Sequence, residues 1–386
     1  MILKTKEFKQ SCTKILSALD TSSTGVTELV ELNVYNNTLF LNVTNNDYYV
    51  SVLFPLEAHY EDESFKATVN ASLFLKLISQ ITTEELELII KDKYIQIKAN
   101  GTYKIPLIYC SNGDMLSLDK IDIFNPTVNM EMDTEILKSI MYYNSKELQK
   151  GIISNETIQR LHYIDNQGAV TFTTGACVNN FTLPKNIQIL LNNKLVKLFK
   201  LFDSETVNFT LGYDALSTEI IQTKVRFESS DIILTAILNC DNSLLKAIPV
   251  ERIRARANNI YPNTIQVSKN ALIQAISRLL LLITPNKSTT TTTEAIKFKP
   301  VGKFVFTKGK LTLYDIEGEN SESIIISGYD REEEYTAVFD LNDIKLTLDT
   351  CIEPYLSFSF GDGQAGVISR LNILNVIPEC DMVQRG

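Results

Sequence analysis

Histidine is nearly absent from this chain: His59 and His162 are the two in 386 residues. That leaves little for acid–base or metal chemistry. Alternation along its strand points His162 away from Leu161, so it reads as an exposed strand histidine. The six cysteines (Cys12, Cys110, Cys177, Cys240, Cys351 and Cys380) are scattered, with no CxxC pair. Buried free thiols in a reducing compartment fit this better than disulfides or zinc. There is no P-loop signature. The longest apolar cluster, Leu279–Ile283, is too short to span a bilayer. The start, MILKTKEF, has no apolar run of signal-peptide length, so a cytoplasmic protein is expected. Positive charge is in deficit, 37 Lys+Arg against 46 Asp+Glu. A net charge of −9 argues against a surface that grips nucleic acid everywhere.

The remaining hints of chemistry are weak. GDGQAG (361–366) could cradle an anion with backbone amides, but it reads better as a turn between strands. EDE (61–63) and REEE (331–334) could bind divalent cations, but they read better as solvated loops on an acidic outer surface. No serine or cysteine has a partner base nearby in sequence. The expectation is a protein that is not an enzyme and has no cofactor and no metal.

What the chain does have is a recurring amphipathic helix pattern. In KEFKQSCTKILSALD (6–20), Phe8, Cys12, Ile15, Leu16 and Leu19 fall at helical spacing while the lysines fall off that stripe. Similar segments begin near Thr134 and Ser268, and Phe8, Ile136 and Leu272 are comparable early apolar positions 128 and then 136 residues apart. A repeat of that size means copies of a domain, not a solenoid.

The first third reads as helix, strands, helix, strands. A second helix is expected over Ser72–Ile81, capped by Asn70 or Ser72, with Leu73, Leu77, Ile78 and Ile81 inward. Asn36-Asn37 and Asn45-Asn46-Asp47 have turn chemistry. The middle third repeats this order with helices over Thr134–Leu148 and Ile189–Phe202 and a strand over Thr157–Tyr163. The last third does so with helices over Lys269–Ile283 and Leu341–Cys351. Boundaries are expected near Asn125-Pro126 and in Arg254–Pro262. The fold class is therefore α+β: three tandem similar domains, 1–126, 127–257 and 258–386, each with two helices packed on antiparallel sheet. Such units can pair their sheet edges, and a closed ring leaves no edge free.

Six helical windows together carry +7, which leaves −16 on the rest of the chain. A basic helical layer on an acidic body suits sequence-independent contact with phosphates. The alternative is that lysines simply solvate exposed helix faces. The window 340–352 is acidic and runs against the first reading.

The threefold pattern resembles the bacterial DNA polymerase III β-subunit sliding clamp family. ATVNASLFLKLISQI (67–81) looks like that family's strand entering its second helix. TIQRLHYI (157–164) and FTTGACV (172–178) look like its strand pair, DNSLLKAIP (241–249) like its bulky-residue-plus-proline loop, and NILNVIPEC (372–380) like its closing strand. The resemblance covers essentially the whole chain. It implies a DNA-clamp fold in which a head-to-tail homodimer closes a ring around double-stranded DNA, without sequence preference and without any membrane role. The ring tethers a DNA polymerase and serves a clamp loader and other proteins carrying clamp-binding motifs. DNA-facing candidates are Lys6, Lys9, Lys14, Lys76, Lys138, Lys146, Lys194, Lys197, Lys200, Lys269, Arg278 and Lys345.

Family members recruit partners through an apolar pocket between the second and third domains. The matching positions here are Leu161, Thr173, Gly175, Val178, Asn242, Ala247, Val376, Ile377 and Pro378. The family often has proline at Asn242, a larger aliphatic at Ala247 and arginine at Ile158, so this chain departs from its pattern there. Tyr103, Ile105, Leu281 and Leu282 match dimer-interface positions. Four consecutive leucines, 279–282, cannot all face one side of a helix, so at least one should be exposed. A non-enzymatic β-rich assembly protein and a hydrolase whose carboxylates meet only in the fold are the competing readings.

Overall fold

The computed structural model describes residues 1–19, 25–57, 65–146, 161–172, 175–215, 221–238, 245–246, 248–283, 300–370 and 372–380. The first third contains β1 (Ile2–Lys4), α1 (Thr5–Ala18), β2 (Leu29–Tyr35), β3 (Thr38–Thr44), β4 (Tyr48–Pro55), β5 (Lys66–Asn70), α2 (Ala71–Gln80), β6 (Glu85–Lys91), β7 (Tyr94–Lys98) and β8 (Thr102–Pro106). The middle third contains β9 (Pro126–Asp133), α3 (Thr134–Ser139), β10 (Leu161–Asp165), β11 (Gly168–Phe172), β12 (Ala176–Asn180), β13 (Gln188–Asn192), α4 (Asn193–Val196), β14 (Thr206–Ala215), β15 (Ile221–Glu228) and β16 (Ile232–Leu238). After α5 (Val250–Ala257) come β17 (Asn263–Ser268), α6 (Lys269–Ile283), β18 (Val301–Thr307), β19 (Lys310–Asp315), β20 (Ser321–Ser327), β21 (Tyr335–Asp340), α7 (Leu341–Thr350), β22 (Tyr355–Phe360), β23 (Ala365–Arg370) and β24 (Ile373–Pro378).

Each third folds its eight strands in the same order. The strands form sheets β1-β6-β7-β8, β5-β2-β3-β4-β16-β15-β14-β9 and β13-β10-β11-β12-β24-β23-β22-β17-β20-β19-β18-β21. In every third the first, sixth, seventh and eighth strands lie consecutively in one row, and the fifth, second, third and fourth in another. The fourth strand of one third then pairs with the eighth of the next: β4 with β16, and β12 with β24. This leaves two such strands without a counterpart of that kind among the described residues, β8 of the first third and β20 of the last.

The residues compose two compact units. One is Met1–Leu137 with Lys197–Cys240, and the other is Lys138–Val196 with Asp241–Gly386. The β4–β16 seam lies inside the first unit and the β12–β24 seam inside the second.

Local sequence explains the elements. Asn36 and Asn37 take positive φ (47° and 58°), which tight β-hairpin turns require. The Asn45 carboxamide accepts the Asp47 and Tyr48 amides, both at 2.8 Å. Asn70, not Ser72, caps α2 by accepting the Leu73 amide at 2.9 Å. In α1, Phe8, Cys12, Ile15 and Ala18 are buried, with Phe8 edge-on to Phe54 and Phe74. Leu16 and Leu73 are exposed, contrary to the expected stripes, because Ala18 and Phe74 take the inward positions. In the last third Phe304, Phe306, Phe339, Phe358 and Phe360 form the core, with Phe306 and Phe360 stacked at 3.8 Å between ring centres.

Two other expectations are corrected. Residues 188–192 are strand β13, not helix, because Ile189, Leu190 and Leu191 pair with β10 and are all buried. Helix starts only where Asn192 accepts the Leu195 amide at 2.8 Å, and it tightens into a 3₁₀ turn over Lys197–Leu201. The helix begun by α3 widens into a π turn over Ile140–Asn144, which buries Asn144. Strand β9 begins at Pro126, beside the first expected boundary, and α5 ends at Ala257, inside the second stretch. Helix α6 spans Lys269–Ile283 as expected, and within it Leu279 is buried while Leu281 and Leu282 are exposed.

Candidate nucleic-acid and partner interfaces

Helix faces place the basic side chains. On α1, Lys6 is exposed and Lys9 half-buried; on α2, Lys76 is exposed. Lys194, Lys197 and Lys200 are all exposed, because the apolar Leu195, Val196, Leu198 and Phe199 between them take the inward positions. Lys138 and Lys345 are half-buried, and Lys146 is exposed with its ammonium 3.9 Å from the centre of the Tyr142 ring.

Lys14, Lys269 and Arg278 are committed to protein partners. Lys14 bonds Asp231 at 2.7 Å and Asp203 at 2.8 Å. Burial would lower its pKa, but those two carboxylates prevail and hold the ammonium above its ordinary value. Lys269 donates to the Cys351 carbonyl at 2.9 Å. Arg278 pairs with Glu322, its Nη2 donating at 2.9 Å.

The second candidate site is the β12–β24 seam. Directly opposed residues on antiparallel strands share a face. Leu161, one position before the His162–Thr171 pair, therefore lies in a row with Phe172, Ala176 and Val376. Val178 and Pro378, two positions along from Ala176 and Val376, share that face. Leu161 and Val376 are half-buried and Pro378 is exposed.

Gly175 closes this row by contact. A Cβ there would be driven into the Val376 carbonyl oxygen and would stand 3.0 Å from its carbon and 3.1 Å from Pro378 Cδ. Ile377 faces the other way and belongs to the apolar core of the last third. Thr173, Asn242, Ala247 and Ile158 lie outside the described residues.

His162 is a correction. Alternation does turn it from Leu161, but that face is covered by the π turn, which packs on β11 and β12, so the ring is fully buried. Its Nδ1 meets Thr171 Oγ1 at 2.7 Å and its Nε2 meets Asn193 Oδ1 at 3.2 Å. Asn144 donates to Thr171 Oγ1 at 3.0 Å and Ser145 to Asn193 Oδ1 at 2.6 Å. A neutral ring that accepts from Thr171 and donates to Asn193 gives these groups compatible roles. Its role here is structural.

A helix that the sequence did not reveal crosses this region. α5 packs against β12 and β24 and carries Arg254 and Arg256. Arg254 makes a bidentate pair with Asp165 at 2.6 and 2.7 Å. Arg256 bonds Asp362 and Gln364 in the β22–β23 turn, the GDGQAG stretch. Burial works against the Asp362 carboxylate, but the Gln364 and Ala365 amides and the Arg256 charge prevail and hold its pKa below the usual range. The signal was present as Val250, Arg254 and Ala257, whose helical spacing puts three buried residues on one side.

The third candidate surface is the free side of β20. This strand pairs with β17 only at Ser327 and Ile326, so its residues 321–325 have a ladder partner on one side among the described residues, β19. A groove of about 550 Å³ runs beside it, lined by residues that include Gln274, Arg278, Ser323, Ile325 and Tyr355. Ile325 is 88% exposed, Leu281 80% and Leu282 63%. On the border strand β8, Tyr103 is half-buried and Ile105 is a core side chain. Among the described residues no cluster of His, Cys, Asp and Glu could hold a metal ion, and no helix is long and apolar enough to cross a membrane. Cys12, Cys177 and Cys351 are buried.

No family model and no curated protein matches the chain. Solved structures do, from end to end. The DNA polymerase III subunit beta of Pseudomonas aeruginosa superposes with a TM-score of 0.77 at 13% identity, over 98% of this chain and 99% of that one. The Helicobacter pylori beta clamp bound to a DNA ligase peptide gives 0.70 at 14%, over 99% of each chain. The polymerase III beta subunit of Thermotoga maritima gives 0.70 at 13%, over 98% of each. The chain has the fold of the bacterial sliding clamps.

Proposed function

We propose that this chain is a DNA sliding clamp: a homodimer that closes a ring around duplex DNA and holds a polymerase and other replication or repair proteins on it. The three thirds act as three copies of one domain, 1–126, 127–257 and 258–386. The work is tethering, not chemistry. Enclosure replaces tight binding, because a partner held on the same DNA sees it at high effective concentration.

The observation that carries the reading is the pairing rule of the repeats. Twice within the chain a fourth strand pairs with the eighth strand of the next third. β20 and β8 are the two left over, and exposed strand edges are a liability unless paired. A second copy placed head to tail would join β20 of one chain to β8 of the other at both junctions. Exposed Ile325, Leu281 and Leu282 beside the groove support an apolar junction there, and the likeness to the solved clamps supports the same arrangement.

Lys6, Lys76, Lys197 and Lys200 are the basic side chains best placed to meet phosphates, being exposed on helix faces. Contact of that kind is independent of base sequence and weak enough to slide. The row Leu161, Val376 and Pro378 with Gly175, over the fully buried Val178, is the groove for a partner's extended peptide, and the H. pylori clamp bound to a DNA ligase peptide supports a partner of that kind. The setting is cytoplasmic.

The test is retention on circular DNA. Protein loaded on a nicked plasmid should stay bound in a salt wash and be released when the plasmid is linearised. Equal retention on circular and linear DNA, or a strict monomer by light scattering at micromolar concentration, would refute the proposal.

A further inference from the structure

We infer that α5 is a strap whose two arginines fix how the middle and last repeats meet at the β12–β24 seam, and so position the groove for a partner's peptide. The second half of this inference rests on the peptide-groove reading; the first half does not.

Arg254 and Arg256 are two residues apart, which on a helix turns them by roughly 200°. They therefore reach to opposite sides. Arg254 grips the β10–β11 turn of the middle repeat, bidentate to Asp165 and 3.4 Å from the Gln167 carboxamide oxygen. Arg256 grips the β22–β23 turn of the last repeat through Asp362 and Gln364. The two anchors are themselves braced. Asp165 accepts the Gln167 amide at 2.8 Å, and Asp362 accepts the Gln364 and Ala365 amides at 2.9 and 3.0 Å. Tyr261 donates to the Arg256 carbonyl at 3.0 Å and ties down the end of the helix.

The chemistry suits placement more than adhesion. Arg254 and Asp165 are 7% and 6% exposed, and the Arg254 Nε has no partner among the described residues. A buried ion pair of that kind adds little net stability over apolar residues, yet it is strict about geometry and costly to break on one side. Between the two grips α5 lies against β12 and β24, the strands that carry Val178, Val376 and Pro378. Loosening either grip should let the seam open and the groove change shape, while the separate cores of the two repeats stay intact.

Hydrogen exchange on the full chain reads this directly. Arg256→Met, at a half-buried position, should raise exchange at least tenfold over 176–180 and 373–378 and leave β2 and β3 unchanged. It should also weaken binding of the ligase peptide at least fivefold. Arg254→Met should do the same, and Arg254→Lys should recover part of the loss. Should Arg254→Met fail to fold, Arg256→Met and Asp362→Asn carry the test. Unchanged exchange at the seam in Arg256→Met overturns the strap. Raised exchange with unchanged peptide affinity overturns the positioning of the groove alone. A parent protein that does not bind the ligase peptide overturns the groove reading, and the exchange result still decides the strap.

Discussion

Gly175→Ala isolates the tightest approach at the seam. The backbone at Gly175 is not left-handed, so alanine brings no conformational strain and the whole effect is spatial. The new Cβ would run into the Val376 carbonyl oxygen, with the carbonyl carbon at 3.0 Å and Pro378 Cδ at 3.1 Å. A backbone carbonyl held in the β12–β24 ladder cannot swing aside as a side chain does, so the strands must part or β12 must shift. Overpacking at a tight site costs about 1–3 kcal/mol and occasionally more. Because the obstacle is backbone, we expect about 3 kcal/mol, more than a hundredfold in the folding equilibrium. Urea unfolding measures this, with hydrogen exchange over 373–378 locating it. Gly101→Ala is the control, since its Cβ meets only the movable Tyr103 ring end at 3.3 Å and should cost little. A loss below about 1 kcal/mol for Gly175→Ala would refute the reasoning. Lost peptide binding without lost stability would mean that Gly175 is required for a ligand, not for the seam.

Other perturbations test other parts. Lys197→Ala with Lys200→Ala should lower the slope of log affinity against log salt by about 2 for duplex DNA, at about 0.9 per phosphate contact. Lys14→Ala should leave that slope unchanged and lower stability instead, since its partners are Asp203 and Asp231. Ile325→Asp or Leu281→Asp should convert a dimer to a folded monomer in light scattering, because both side chains are exposed in the single chain. The Glu379 carboxyl is pushed up to about 7, by burial first and then by the Asp362 charge. Its folded pKa thus exceeds the unfolded 4.5, the folded chain holds the extra proton, and stability from this group falls as pH rises from about 4.5 to about 7. Glu379→Gln should remove that dependence and stabilise the protein above pH 7 by about 1–2 kcal/mol after solvent screening of a half-exposed group, read as unfolding midpoints across pH.

Helical periodicity and Asn-rich turns were enough to find α1, α2, α6, α7 and the hairpin at Asn36-Asn37, because such elements answer to local spacing and backbone preference. The alternation of helices and strands in each third was legible for the same reason, but the short strand that opens each third, β1, β9 or β17, was not. What the chain could not reveal locally was decided by pairing. Ile189–Leu191 run straight into the helical stripe of Leu195, Leu198, Phe199 and Phe202 and read as its first turn, yet β10 lies beside them and makes them strand. His162 has the alternation of an outward residue, yet the π turn covers it. Ile377 stands beside Val376 in sequence but faces the core of the last third, while Val376 faces the other side. The α5 arginines read as a polar linker, since their anchors, Asp165 and Asp362, are 89 and 106 residues away. Residue pattern fixes what each segment prefers. Only tertiary structure decides which surfaces are covered and which charges find partners, because those depend on residues far apart along the chain.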